Sequence, residues 1–445
     1  MNANSTTNGS LNISGVSISS VGLALTGTDN VNIALGNMTM FGNSTTGVGS
    51  QAKTTWTTFN ANIASGSKLD LTGTSDSNNG IYTYKVYYII NADITKTGTF
   101  NLRGNSTSNS GFYIQDYTTF NVSSGAFNID GYSPTNTGLA LWGPTTTNVN
   151  SQTASLTLKG TSDSGYGLYF RYGSLSHDGI GTTNLEGVSN SNYGFYQGTN
   201  GTINVTQGNV IIKSTSTSST GFALDGTIYA NTKAGSTINI IGNSTSGYGM
   251  DIFGWGDIVL NSISDTAYTG SLTATGNSVS NVGLHIGNAT LIAAQGNLNL
   301  FGASTSASGV TFDAALFATT ATGANITISG NSSSNISANQ SGVNWATTSN
   351  ISVTGGGMLT IRSQALDGGV GFNITRSINQ VGNGTLRLVG ATTGSLGVNL
   401  AAAVTGEGNL IIDSETGNLS VNANVTSTGG NVTLVAGSTN SVACL

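Results

Sequence analysis

One spacing constrains this chain more than any other: a pair of glycines seven residues apart, recurring along nearly its whole length. The unit reads apolar-x-apolar-x-Gly-x-Ser-x-Ser-x-x-Gly-apolar-x-apolar. It occurs at Leu69, Leu71, Gly73, Ser75, Ser77, Gly80 and Ile81. It recurs at Phe100, Leu102, Gly104, Ser106, Ser108, Gly111, Phe112 and Ile114, and again at Leu156, Leu158, Gly160, Ser162, Ser164, Gly167, Leu168 and Phe170. Successive first glycines are usually roughly 27–31 residues apart, the range of stacked repeats. Spacing inside the turn is fixed, whereas spacing between units varies. The turn is therefore shape-critical, and insertions are accommodated elsewhere.

Apolar and polar residues alternate on both sides of the turn, which is the strand period. A further strand signal lies between units, as in Phe120-Asn121-Val122, Asn148-Val149-Asn150 and Ile203-Asn204-Val205. Three strands per unit is the layout of one β-helix coil. Such a coil cannot bury its apolar side alone and must stack on its neighbours. The expectation is an all-β, right-handed parallel β-helix of about 13–15 coils with roughly three strands per coil. Coils of regular length are expected over residues 1–355, with looser and shorter coils over 356–445.

Period two also assigns faces. Ile81, Phe112, Leu139, Leu168, Phe195, Phe222, Met250, Leu284 and Val310 follow the second glycine and should point inward. The next residue should point outward: Tyr82, Tyr113, Ala140, Tyr169, Tyr196, Ala223, Asp251, His285 and Thr311. Two serine ladders mark the turn, one through Ser75, Ser106 and Ser162 and one through Ser77, Ser108 and Ser164. The glycines beside them are expected to supply positive φ.

Composition removes several function classes. Charged residues make up 7%, against about 25% in ordinary domains, and the net charge of −6 is thinly spread. With no basic patch, nucleic acid is not an expected partner. No apolar run reaches 18 residues, so no transmembrane helix is expected. The single cysteine, Cys444, leaves no intrachain disulfide framework. No cofactor or metal is expected: Gly355-Gly356-Gly357 is not followed by the aspartate ladder of calcium-binding β-rolls. The first ten residues carry neither a charged n-region nor an apolar h-region.

β-helical enzymes need acids and bases gathered on one face. The acids here are expected at differing coil positions, where stacking does not collect them. The densest group is Lys159, Asp163, Arg171, His177, Asp178 and Glu186, read as solvated loop charge. His285 is expected at the surface. Trp56, Trp142, Trp255 and Trp345 share no repeat position and are expected to pack loops. The chain is therefore read as non-catalytic. Binding is expected of the outward tyrosines Tyr82, Tyr113, Tyr169 and Tyr196, which should form one stripe of rings. Asn-x-Ser/Thr sequons at Asn105, Asn243 and Asn331, among others, are candidate glycosylation positions.

The Gly-Asn-Ser-Thr-Ser units at Gly104–Ser108 and Gly242–Ser246, with the tail at Gly417–Gly437, resemble repeat regions of bacterial filamentous-haemagglutinin-like adhesins. Composition and sequon density are similar to those of the high-molecular-weight adhesins exported by two-partner secretion. The family's N-terminal secretion domain, with its Asn-Pro motifs, is not present, and Pro134 and Pro144 do not form it. The resemblance implies passage through an outer-membrane transporter and display on the bacterial surface. It further implies attachment to glycans or proteins of host or neighbouring cells. An autotransporter passenger or a polysaccharide-active β-helix enzyme would share the fold.

Overall fold

In a computed structural model the chain is all-β, its parallel strands stacked as a β-solenoid of about 13 turns. The described residues are 2–5, 10–25, 28–172, 174–254, 256–261, 269–287, 289–313, 316–320, 323–333, 343–345, 349–353, 356–366, 368–437 and 442–444, and no helix occurs among them. Side chains of 2–5, 51–57, Ser174, Phe317, Trp345, Ser349, Asn350 and 442–444 are not described either. Strand contacts gather into two compact units, Met1–Ser216 and Thr217–Leu445.

Most coils carry three strands; Ser50–Ile63 and Ile81–Ile90 each run through two of the three positions. In the first unit a typical coil comprises Ala126–Ser133, Leu139–Leu141 and Thr145–Val149. The long strand pairs in parallel with Thr99–Ser106 on one side and Ser155–Ser162 on the other, glycine on glycine: Gly104, Gly131 and Gly160 share one column. The second unit repeats this with Thr237–Ser244, Ser271–Ser278 and Asn297–Ser304, where Gly242, Gly276 and Gly302 align. Beyond Phe372 a further parallel sheet begins, formed by Phe372–Ile374, Leu396–Leu400, Asn418–Val421 and Val442–Cys444.

The inward columns are buried as expected, with Phe112, Leu139, Leu168, Phe195, Met250 and Leu284 all at zero exposure. Identical residues stack in register: the rings of Phe100 and Phe127 lie 4.9 Å apart and 1° from parallel. Burying one such large side chain contributes on the order of 2–3 kcal/mol, so the interior stack is the main source of stability.

The two glycines do not supply positive φ; neither column appears among the residues with left-handed backbone. They are needed for close approach instead. A Cβ on Gly73 would lie 2.2 Å from the carbonyl oxygen of Gly80, and one on Gly80 would lie 2.3 Å from the backbone nitrogen of Asn105 in the next coil. Positive φ belongs to a different corner, just before the long strand, as at Gly36 (84°), Gly125 (72°) and Gly296 (76°).

The serine ladders divide the remaining work of the turn. Ser75, Ser106, Ser162 and Ser189 are buried. Each donates to a carbonyl of the preceding coil's turn: Ser75 to Gly47 (2.7 Å), Ser106 to Asn78 (2.5 Å), Ser162 to Asn136, and Ser189 to Gly165 (2.7 Å). Each hydroxyl also accepts the amide three residues on, as Gly165 N–H does with Ser162 Oγ at 2.8 Å. In the second unit Ser278 and Ser304 do the same to Gly247 and Asn281. The outer ladder is exposed and makes one such bond per residue, as Ser164 does to Pro134 (2.7 Å).

Among the described residues a further corner is closed by a buried asparagine with positive φ, Asn91 in the first unit and Asn261 in the second. Asn91 donates to Gly98 and Ser124 and accepts from the Ile63 amide. Asn261 donates to Gly270 and Gln295 and accepts from the Thr232 amide. Each satisfies backbone groups that the corner would otherwise leave unpaired in a water-free interior.

Candidate functional site

The outward position after the second glycine is only half-exposed. In the first unit Tyr82 and Tyr113 stack at 5.7 Å and 9°, and Tyr169 and Tyr196 stack at 5.4 Å and 28°. The four tyrosines thus form two stacks, with the coil carrying Ala140 between them. Ala140 stands in the outward column in register with Tyr113 and Tyr169, as expected, but is covered to 1% exposure. The gap it leaves receives Trp142, two residues on and on the same side of the strand, whose ring meets that of Tyr113 at 5.8 Å. Tyr166 and Tyr193 join the second stack from the adjoining turn, Tyr166 meeting Tyr169 at 4.7 Å and Tyr193 meeting Tyr196 at 5.4 Å.

Arg171 lies between the two stacks. Its guanidinium sits 4.5 Å from the Trp142 ring centre and 5.1 Å from that of Tyr172. Both Arg171 and Tyr172 are exposed. No carboxylate lies within ion-pairing distance of Arg171 among the described residues. Lys85, three coils away, pairs with Asp116 at 3.5 Å. Burial raises the phenol pKa of Tyr113 and of Tyr169, and the Arg171 charge opposes that rise at both. Tyr82 donates its hydroxyl to Gln115 Oε1. Trp142 was read as loop packing and is instead the hinge of this aromatic face. Its equivalence in the repeat to Gln115 and Arg171, the fourth residue after the second glycine, follows from the fixed spacing of the turn. Trp255 lies outside the described residues, as do the side chains of Trp56 and Trp345.

The remaining charges of the densest group go to separate places. Asp163 accepts from Tyr132 Oη (3.1 Å) and Asn190 (3.0 Å) on the turn. Asp178 accepts from Thr206 and Gln207. Lys159 pairs with Glu186 at 3.4 Å. That pair belongs to a column that corrects the expectation of scattered acids. Arg103, Asp130, Lys159, Glu186 and Lys213 each precede the first-glycine position, and parallel register stacks them in alternating sign. Burial raises the Asp130 pKa against the lowering influence of Lys159 and Arg103.

His177 is not loop charge. It is fully buried in an interior column between Thr147 and Val205, with Nδ1 at 3.1 Å from both Thr147 Oγ1 and Thr183 Oγ1. Burial lowers its pKa to about 4, against the raising influence of Asp178 and of the backbone at Gly179 and Gly181. The ring is therefore neutral at pH 7. The signal was the alternation Leu175-x-His177, which matches Ile203-x-Val205 on the next coil.

In the second unit the outward column holds a different arrangement. His285 Nδ1 lies 2.6 Å from Asp251 Oδ1, and Nε2 lies 2.7 Å from Asp313 Oδ2. Asp251, His285 and Asp313 come from three successive coils. The His285 ring stacks on Tyr248 at 4.7 Å and 12°. Burial alone would lower its pKa, but hydrogen bonds and charge from Asp251 and then Asp313 outweigh that and raise it. Carboxylates only accept, so in its charged form the ring donates from both nitrogens, one to each carboxylate. Among the described residues no three His, Cys, Asp or Glu side chains are grouped to hold a metal ion, and no helix is long and apolar enough to cross a membrane.

Of the sequon asparagines, Asn105 is exposed on its strand. Asn243 is half-buried and accepts from Asn277 at 2.9 Å, and Asn331 keeps a buried side-chain oxygen without a partner. No protein-family model and no curated protein sequence matches this chain.

Proposed function

We propose that the chain is a non-catalytic shaft segment of a bacterial surface adhesin, exported through an outer-membrane transporter and displayed outside the cell. Its partners in this reading are glycans or proteins on host or neighbouring cells. The observation that carries it is the contrast between the aromatic face of Met1–Ser216 and the chemistry around it. Elsewhere the outward residues are mostly Ser, Thr and Asn, and many of their polar groups bond the adjacent coil, as in the exposed Asn32–Asn62 pair. Tyr82, Tyr113, Trp142, Tyr169, Tyr172 and Tyr196 instead offer aromatic rings and hydroxyls, with Arg171 as one cation among them. Aromatic groups with a polar tip suit sugar and protein surfaces alike, and weak contacts repeated on a solenoid gain from avidity.

The test is adhesion of beads coated with the chain to cultured epithelial and bacterial cells. Wild type should attach. The variant with Tyr82, Tyr113, Tyr169 and Tyr196 all changed to Ser should lose most attachment while keeping its circular-dichroism spectrum. Attachment unchanged by that variant would overturn the reading. Turnover of a polysaccharide by the purified chain would replace it with the enzymatic alternative. Release of sugar reducing ends is the readout there.

A further inference from the structure

We propose that the notch at Arg171 recognises the carboxylate of an acidic saccharide; this rests on the adhesive reading above and names its ligand class. Three features make the notch. Trp142 forms one wall and covers one side of the guanidinium at 4.5 Å. Tyr172, half-exposed, flanks it at 5.1 Å and meets Trp142 edge-on at 71°. On the other side, continuing the register Phe170↔Gln197, the residue stacked on Arg171 is Gly198. Glycine places no side chain beside the cation; a Cβ there would press on the carbonyl oxygen of Arg171 itself at 3.3 Å.

Rings covering the face of a guanidinium leave its N–H edge as the reactive surface. That edge donates two parallel hydrogen bonds to a planar carboxylate, a match that an ammonium does not reproduce. Among the described residues Arg171 has no such partner, whereas Lys85, three coils away, pairs with Asp116. A saccharide fits better than a peptide for a backbone reason. A peptide that adds to a sheet needs a free strand edge. Here the short strand Leu168–Phe170 pairs on both sides, with Leu139–Leu141 and Phe195–Gln197. A sugar needs no strand edge: its C–H face can lie on the exposed ring of Tyr172 while its hydroxyls reach the phenols of Tyr169 and Tyr113.

The experiment uses the full chain and tetragalacturonate, with its fully methyl-esterified form as the uncharged control, measured by calorimetric titration at low and at physiological salt. The acid form should bind at least about tenfold more tightly than the ester, as one charge-assisted bidentate contact implies, and salt should weaken it. Arg171→Gln should remove that preference, chiefly by weakening the acid form. Arg171→Lys should restore only part of it. Gly198→Leu, which crowds the notch from the Arg171 backbone, should weaken both sugars. Equal binding of acid and ester by wild type, or a preference that survives Arg171→Gln, would overturn the proposal. So would tighter binding of a tetraglutamate peptide than of the acid sugar. If cell attachment is lost in the four-tyrosine variant but untouched by Arg171→Gln, the adhesive reading stands and the acidic-sugar assignment fails. If wild type attaches to nothing, both fail.

Discussion

Met1–Ser216 and Thr217–Leu445 use the same turn, the same inward columns and the same buried asparagine corner, yet they fill the outward column in opposite ways. The first unit sets Tyr82, Tyr113, Tyr169 and Tyr196 there and joins them by ring stacking. The second sets Asp251 and His285 there and joins them with Asp313 by charge. What lies inside is constrained by packing and backbone satisfaction. What lies outside need only bond or stack along the solenoid axis, so it is free to vary. The comparison predicts that interior substitutions act alike in both units, whereas outward ones differ in kind.

The largest effect should come from the interior. Leu168→Asp and Leu284→Asp each place an unpaired carboxylate at a position with no exposure. Each should cost at least about 4 kcal/mol, or abolish folding of the surrounding coils. Urea denaturation followed by circular dichroism would check this. A small loss in either unit would mean that its inward column is not a sealed interior.

The next effect belongs to His177 and breaks the symmetry of the interiors. Its folded pKa of about 4 lies below the ordinary value of 6.5. The unfolded chain therefore binds the proton more readily, and acid favours unfolding. The stability held by the neutral ring is complete above about pH 6.5 and is lost as pH falls towards 4. The total is roughly 3 kcal/mol. His177→Val should flatten that part of the stability profile between pH 6.5 and 4. A profile unchanged by the substitution would show that the ring is solvated.

These two residues also mark what could be read before any coordinates. Leu168 was legible because it follows a glycine at fixed spacing, and strand alternation then assigns its face. His177 lies on the third strand, which no fixed glycine precedes, so its register is lost in loops of varying length. The glycines themselves were legible as essential but not for the right reason. Positive φ is a property of one residue, whereas the contact of Gly73 with Gly80 and of Gly80 with Asn105 depends on how coils stack. The alternating column from Arg103 to Lys213 was present in the sequence, one residue before each first-glycine position. It becomes apparent only in register, because each charge belongs to a different coil and its neighbours along the sequence are uncharged. The Trp142–Arg171 contact required knowing that Ala140 leaves a hole.

Within the turn, the two serine ladders give a smaller contrast. Ser162 is buried, donates to Asn136 and accepts from the Gly165 amide. Ser164 is exposed, donates its hydroxyl to Pro134, and water can replace that bond. Ser162→Ala should cost about 2–3 kcal/mol and Ser164→Ala about 1 kcal/mol or less. Ser278→Ala in the second unit should match Ser162→Ala, since Ser278 makes the equivalent pair of bonds. Thermal midpoints of the three variants would decide it, and equal losses at Ser162 and Ser164 would contradict the assigned roles.

The smallest effects should be the outward ones, and there the response to conditions matters more than the size. Tyr169→Ser removes ring contacts to Tyr166 and Tyr196, and His285→Gln removes a cation shared by two carboxylates. Each should cost about 1 kcal/mol, the scale of an aromatic pair or a part-exposed ion pair. The His285 pKa is raised on folding, so its contribution is fully present below about pH 6.5 and disappears as pH rises through the folded value. At higher pH a neutral ring has one N–H to offer to two carboxylates, and the penalty of His285→Gln should shrink. Added salt should shrink it as well, because Asp313 is half-exposed and its field is screened. Tyr169→Ser should respond to neither, since stacked neutral rings carry no net charge between pH 5 and 8. The measurement is the difference in denaturation midpoint between each variant and wild type at matched pH, at about 0.05 and 0.5 M sodium chloride. Using differences cancels the acid effect of His177, which is common to all three proteins. If both penalties followed pH and salt in the same way, the two units would not differ in what joins their outward residues.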